Sequence, residues 1–177
     1  SKSYTAFQLG LKTDQIHGKA RINSIDTSVL HEDLKKGIVP VITGFQGINE
    51  SGDITTLGRG GSDTSAVALA VALEADECQI FTDVDGVYTT DPRVYDKAKK
   101  IDKLSFEEML ELASLGAKVL QTRSVELAMR YRVKLRELSS FEEPSETAGT
   151  LVCSEEEIME SNVVSGIAYS PRSAPRR

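Results

Sequence analysis

The chain has 177 residues, 40% of them hydrophobic and 27% charged, which suits one domain with a substantial core and is too short for two large ones. Its formal net charge of −6 becomes more acidic still once the three arginines of the last eight residues are set aside, which argues against a nucleic-acid-binding body. The longest apolar run, Ala66 to Leu73, falls far short of the roughly 20 residues a bilayer span needs.

In chain order, Ala20 to Ile25 predicts a short strand, followed by a capped helix from about Ser28 to Lys36 that Gly37 stops. Ile38 to Thr43 reads as a strand buried in a parallel sheet covered on both faces. Asn49 to Asp53 is a turn, the tip of a small hairpin. A helix from about Asp63 to Ala75 is apolar almost all round, hence buried. Gln79 to Thr82 forms another strand, with a turn at Asp83-Val84-Asp85-Gly86. Ser105 to Glu108 has capping-box spacing and starts a helix with Phe106, Met109, Leu110 and Ala113 on one face, ended by Gly116. An amphipathic helix covers roughly Thr122 to Tyr131, and Val133 to Leu138 alternates as a strand with one wet face. Glu142 to Thr147 is a polar loop, Thr150 to Val152 a last strand, and Val163 to Tyr169 the start of another before a Ser/Pro/Arg tail. Strands alternating with helices predict an α/β sandwich.

Two segments stand out for chemistry. Thr56 to Asp63 places three glycines before a helix, so the backbone can approach a ligand closely and the helix directs its free N–H groups and positive dipole end there. Arg59 adds a fork suited to carboxylate or phosphate, while Ser62 or Asp63 can cap the helix. A glycine-rich turn with nothing bound is the plain alternative. Thr82 to Arg93 follows a strand, at the carboxyl end where open α/β sheets bind ligands. Asp83 is placed to accept from an adenine amino group or a ribose hydroxyl, Tyr88 to stack or hydrogen-bond, and Arg93 to reach phosphate. The alternative is a turn built from Asp83, Asp85 and Gly86 and ended by Pro92.

Lys118 stands on the N-terminal side of a helix, where a cation opposes the dipole; a phosphate partner would explain it, and a solvent-facing lysine is the alternative. His17 and His31 have no Cys or carboxylate at ligand spacing, so neither a metal site nor a Ser-His-Asp triad is expected. Cys78 and Cys153 read as small core residues in a reducing cytosol. Glu107, Glu108 and Glu111 read as a wet helix face, and Lys35-Lys36 and Lys99-Lys100 as solubilising surface.

Together these segments resemble the aspartate kinases of the amino acid kinase family. The resemblance rests on Gly44-Phe45-Gln46-Gly47, Thr55 to Asp63, Thr82 to Tyr88, Asp91-Pro92-Arg93, Leu104 to Leu112 and Arg123 to Glu126, in order between about Gly18 and Val152. The Arg-Gly-Gly-Ser-Asp loop and the Ser-Phe-Glu-Glu-Met helix are closer to aspartate kinase than to glutamate 5-kinase, acetylglutamate kinase or uridylate kinase. The resemblance implies a three-layer α/β sandwich whose mainly parallel sheet is covered by helices on both faces, truncated at its N-terminal side. Residues 1–152 would be part of the catalytic domain, and 153–177 a linker into regulatory ACT domains with a disordered basic tail.

It further implies transfer of the ATP γ-phosphoryl group to the side-chain carboxylate of L-aspartate, the first step of aspartate-family amino acid biosynthesis, lysine biosynthesis included, in a cytoplasmic homo-oligomer. No nucleic-acid or membrane partner is expected. Phe45, Arg59, Gly60, Gly61 and Ser62 would line the aspartate site, with Arg59 clamping a carboxylate. Asp63 would hold a catalytic lysine; Thr82, Asp83, Tyr88 and Arg93 would hold ATP, with Lys118 and the Val119 backbone near its phosphates. Mg²⁺ would arrive with ATP rather than in a dedicated protein site. An aspartate side chain of ordinary pKa about 3.9 is already a nucleophile, so no base is needed. Catalysis then reduces to alignment and charge neutralisation, since unit charges near 4 Å repel by ~1 kcal/mol even in water.

The chain also departs from the family pattern. The family's N-terminal Lys-Phe-Gly-Gly segment and an upstream acidic residue have no counterpart, and Gln121-Thr122 stands where relatives often carry His-Pro. With Ser1 as first residue, the expectation is a chain that starts partway through the kinase domain and is inactive alone. The competing readings are a non-catalytic nucleotide-binding or interaction module and a kinase with another carboxylate acceptor.

Overall fold

The computed structural model describes residues 1–115, 119–143 and 148–158. Gly116, Lys118, much of the loop from 142 to 147 and the expected strand at Val163 to Tyr169 lie outside the described residues. The chain forms two compact units, Ser1–Asp76 and Glu77–Arg177.

In the first unit, β1 (Lys2–Tyr4) pairs in parallel with β4 (Pro40–Ile42). A second sheet has the order β3 (Ile22–Ser24), β2 (Lys12–Thr13), β5 (Gln46–Ile48), β6 (Ile54–Thr56), with β2 and β5 parallel and the outer pairs antiparallel. The β5–β6 hairpin closes where the turn residues predict it: Asn49 and Asp53 bond through their backbones, and the Asn49 side chain accepts the Asp53 N–H at 2.8 Å.

Helix α1 (Ser28–Lys35) ends in a paired stop, with the Gly37 N–H on the Leu34 carbonyl and the Ile38 N–H on that of Asp33. Its start differs from expectation. Thr27 is the N-cap without a side-chain bond, and Asp26 instead accepts from the Ser28 backbone and hydroxyl. Those bonds hold the Asp26 carboxyl below its ordinary range.

A small core of Tyr4, Leu9 and Leu30, with Ile42, Leu69 and Leu73 packed against it, joins β1, α1, β4 and α2 (Gly61–Ala72). The Tyr4 hydroxyl donates to buried Asp33, whose carboxyl is depressed first by that bond and, against the cost of burial, by the Lys2 charge. The expectation that Ile38 to Thr43 is buried on both faces fails for Val39 and Val41, which are 64% and 53% exposed. β4 has only β1 beside it, so alternate side chains of the apolar run stay open.

The second unit holds a sheet of order β7 (Glu77–Thr82), β9 (Lys134–Ser139), β10 (Thr150–Cys153), β8 (Lys103–Ser105). The β7–β9 and β8–β10 pairs are parallel and β9–β10 antiparallel. Helix α3 (Phe106–Ser114) packs on β8 and β10, α4 (Thr122–Tyr131) on β9, and the two helices on each other. The capping box at Ser105 is complete: its hydroxyl accepts the Glu108 N–H at 3.1 Å, while the Glu108 carboxylate accepts the Ser105 N–H at 2.9 Å. Glu108 is therefore more than part of a wet face. Cys78 and Cys153 are buried and in no disulfide among the described residues, and Cys153 has its thiol pKa raised chiefly by burial.

Across β7 and β9 the Arg136 guanidinium grips Glu77 with two hydrogen bonds of 2.8 and 3.0 Å, at side-chain exposures of 14% and 22%. Burial raises the Glu77 pKa, yet the bond and charge of Arg136 outweigh it, and the net shift is downward. A depressed carboxyl stabilises the fold above its unfolded value of about 4.3, and that stability is lost as pH falls through the lower folded value. Glu77→Gln is expected to cost about 1 to 2 kcal/mol at neutral pH. Urea unfolding of the variant should also lose part of the wild type's acid sensitivity below about pH 4.3, and an unchanged acid limb would refute this.

Candidate functional site

The glycine loop runs from β6 into α2. Gly60 is the N-cap, at φ 66°, in the left-handed region that favours glycine. It offers no side-chain cap; the Gly61 N–H turns back onto the Gly58 carbonyl at 2.9 Å, and the positive end of the helix dipole lies at the loop. Sequence reasoning placed the cap at Ser62 or Asp63; the helix begins at Gly61, and both residues lie within its first turn. Gly61 is required for a different reason. A Cβ there would stand 2.8 Å from the Phe45 ring and 2.9 Å from the Leu57 Cβ.

Phe45, between β4 and β5, has φ 72°, a conformation uncommon for a residue with a side chain. Its N–H donates to the Ser65 hydroxyl at 3.2 Å, its carbonyl accepts from the Leu57 N–H at 2.9 Å, and the residue is 45% exposed. Phe45, Gly60, Gly61 and Ser62 thus converge at the start of α2. Arg59 is exposed, and among the described residues it forms no ion pair. Asp63 is half-buried. Burial raises its carboxyl pKa, opposed by hydrogen bonds from Ser62 and from its own backbone N–H. A carboxylate held there at a cost in desolvation is the kind of group that a cationic partner relieves.

In the second unit the residues expected to hold the nucleotide follow β7. The Thr82 hydroxyl lies 3.1 Å from the Val84 carbonyl and 3.3 Å from Glu137 Oε1, and accepts the Val84 N–H at 3.2 Å. Asp83 is exposed. The Tyr88 hydroxyl donates to the Asp85 carboxylate, 3.0 Å from each oxygen, and its pKa is raised by burial first and by Asp85 second. Lys100 completes this group, 3.6 Å from Asp85, and is not the purely solubilising lysine expected. The Arg93 guanidinium is bidentate on Asp91 at 3.0 and 2.8 Å, which raises its pKa further. Val119 is half-buried, and Lys118 lies outside the described residues. Among the described residues no group of three or more His, Cys, Asp or Glu side chains gathers as a metal site.

Three supporting residues escaped the sequence reading. Ser65 looked like one small residue of an apolar helix. Thr150 looked like the first residue of a strand, yet its fully buried hydroxyl accepts the Val87 N–H at 2.8 Å and donates to the Ile101 carbonyl at 2.6 Å, fixing the loop of Asp85 and Tyr88. Glu137 was expected among the alternating residues of a strand with one wet face; it is fully buried. Only the Ser62-x-x-Ser65 spacing carried a local signal.

A mixed α/β chain whose glycine loop opens a buried helix and whose acidic turn follows a strand falls in the class of α/β proteins that bind ligands at helix N-termini and beyond the carboxyl ends of strands. The family model for the amino acid kinase family matches residues 1–136, and the chain belongs to that family. It is 61% identical to an aspartate kinase of Stutzerimonas stutzeri and 56% identical to aspartokinase 2 of Bacillus subtilis, over 95% and 94% of its own length. It spans about 40% of the length of these curated relatives. The crystal structure of E. coli aspartokinase III in complex with aspartate and ADP superposes on 86% of the chain and 34% of that protein, with TM-score 0.76 and 36% identity. No helix among the described residues is long and apolar enough to cross a membrane.

Proposed function

We propose that the chain carries the carboxylate-substrate loop and the nucleotide-side residues of an aspartate kinase, which moves the ATP γ-phosphoryl group onto the L-aspartate side chain. The observation that carries this reading is the start of α2: a glycine N-cap with no side-chain cap, beside an arginine without an ion pair among the described residues. That end of the helix suits an anion, and the guanidinium suits a carboxylate. The aspartate kinases matched along 94 to 95% of the chain support this acceptor over another carboxylate.

In this reading Phe45, Arg59, Gly60, Gly61 and Ser62 receive aspartate, with Arg59 on a carboxylate and the first-turn amides of α2 beside it. Asp63 orients a cation supplied by the family's lysine. Thr82, Asp83, Tyr88, Arg93, Lys118 and the Val119 backbone hold ATP, and Mg²⁺ arrives with the phosphates and neutralises their charge when bound. Residues 1–152 then belong to the catalytic domain and 153–177 lead towards a regulatory region. The setting is the cytoplasmic biosynthesis of the aspartate-derived amino acids, lysine among them, by a homo-oligomer.

Hydroxylamine trapping with ATP, Mg²⁺ and L-aspartate tests the reading on this chain and on a protein of the relatives' full length. Acyl hydroxamate is expected from the longer protein with aspartate. A preference for glutamate there, or no product with either acid, would overturn the assignment.

A further inference from the structure

We propose that Ser65 is a positioning residue for the carboxylate substrate, locking the Phe45 turn to the first turn of α2; the inference rests on the aspartate kinase reading above. Phe45 at φ 72° sits in backbone strain that persists only where its surroundings over-determine it. Two bonds hold it: the Leu57 N–H on its carbonyl, and its own N–H on the Ser65 hydroxyl. Ser65 is 1% exposed, and the hydroxyl proton goes to the Ser62 carbonyl at 2.8 Å. One buried hydroxyl therefore joins a segment 20 residues upstream in sequence to the residue three positions before it.

The surroundings leave this hydroxyl little freedom. A Cβ at Gly44 would lie 2.9 Å from the Ser65 oxygen, so residue 44 has no side chain to spare and the turn closes directly onto Ser65. Gly61 performs the same service for the Phe45 ring. The two faces that would receive aspartate, the Phe45 ring and the Arg59 to Ser62 loop, are thus registered through an atom that is itself out of reach of a ligand. Removing the hydroxyl leaves the Phe45 N–H without its acceptor, while the Ser62 carbonyl keeps only its helical N–H partner. The strained turn then has one bond fewer to hold it.

The test uses the full-length protein in the hydroxamate assay. Ser65→Ala is expected to raise KM for aspartate about tenfold, with KM for ATP close to wild type and the melting temperature lowered by no more than a few degrees. Ser65→Thr, which keeps the hydroxyl, is expected to restore aspartate KM to within about threefold. An active wild type whose Ser65→Ala variant keeps aspartate KM within about twofold overturns the inference alone. So does a variant that raises both KM values together while melting early, the signature of a merely structural role, and so does a Ser65→Thr variant as impaired as Ser65→Ala. A wild type that forms no acyl phosphate overturns the aspartate kinase reading and this inference with it. Should Ser65→Ala fail to fold, Ser65→Cys, of similar shape but weaker hydrogen bonding, is held to the same criteria.

Discussion

Replacing Arg59 with alanine is expected to lower kcat/KM for L-aspartate about 10²-fold in the full-length protein, while KM for ATP stays within about twofold of wild type. The sequence presents Arg59 and Arg93 as equivalent candidates for an anionic ligand, and the structure separates them. Arg93 is bidentate on Asp91, so much of its charge is already answered within its own loop. Arg59 is exposed on a loop whose path is fixed by Gly58 at φ 82° and Gly60 at φ 66°, and it has no ion pair among the described residues. A carboxylate arriving there gains a charge-assisted fork beside a helix N-terminus that has no side-chain cap, and truncation removes the fork with nothing to replace it. Arg59→Lys keeps the charge without the planar fork, so it should recover only part of the loss. Steady-state kinetics with each substrate varied in turn decide the matter. Equal loss for aspartate and ATP would mean that Arg59 orders the loop rather than meeting the substrate.

What was legible in the sequence was what short-range chemistry decides. The Ser105 to Glu108 box, the Asn49 to Asp53 turn and the Thr122 to Tyr131 amphipathic helix are specified by residues within a few positions of one another, and each stands as read. β1, β2 and β8, of two or three residues, carry too little pattern to be seen. They exist because of partners far along the chain. The candidate loop was visible as composition, yet the features that shape it are tertiary: the left-handed Phe45, the hydroxyl of Ser65 and the ring against Gly61. Glu137 shows the limit most clearly. Alternation along β9 put it among residues of a strand with a wet side, but β9 is an interior strand, with β7 on one edge and β10 on the other, and the Glu137 side chain is fully buried with Thr82 at its carboxylate.

Gly149→Ala is expected to destabilise the second unit by about 3 kcal/mol or more, a fall in Tm of about 6 to 12 °C. Gly149 stands at φ 72° immediately before β10, and a Cβ on it would lie 1.8 Å from the Glu137 carbonyl oxygen. That oxygen is backbone of a strand paired on both edges, so it cannot swing aside as a side chain would. Gly52→Ala is the control. Gly52 has φ 85°, but nothing lies within 4 Å of its would-be Cβ, so this substitution carries the left-handed strain alone, about 1 kcal/mol. The difference between the two variants isolates the steric part, and equal melting shifts would refute the close approach of Gly149 to β9. The consequence reaches the site through Glu137, whose carboxylate meets the Thr82 hydroxyl at the end of β7. If β9 shifts to admit the methyl group, the residues after β7 lose their reference point, and nucleotide affinity should weaken together with the melting temperature, which Gly52→Ala will not cause.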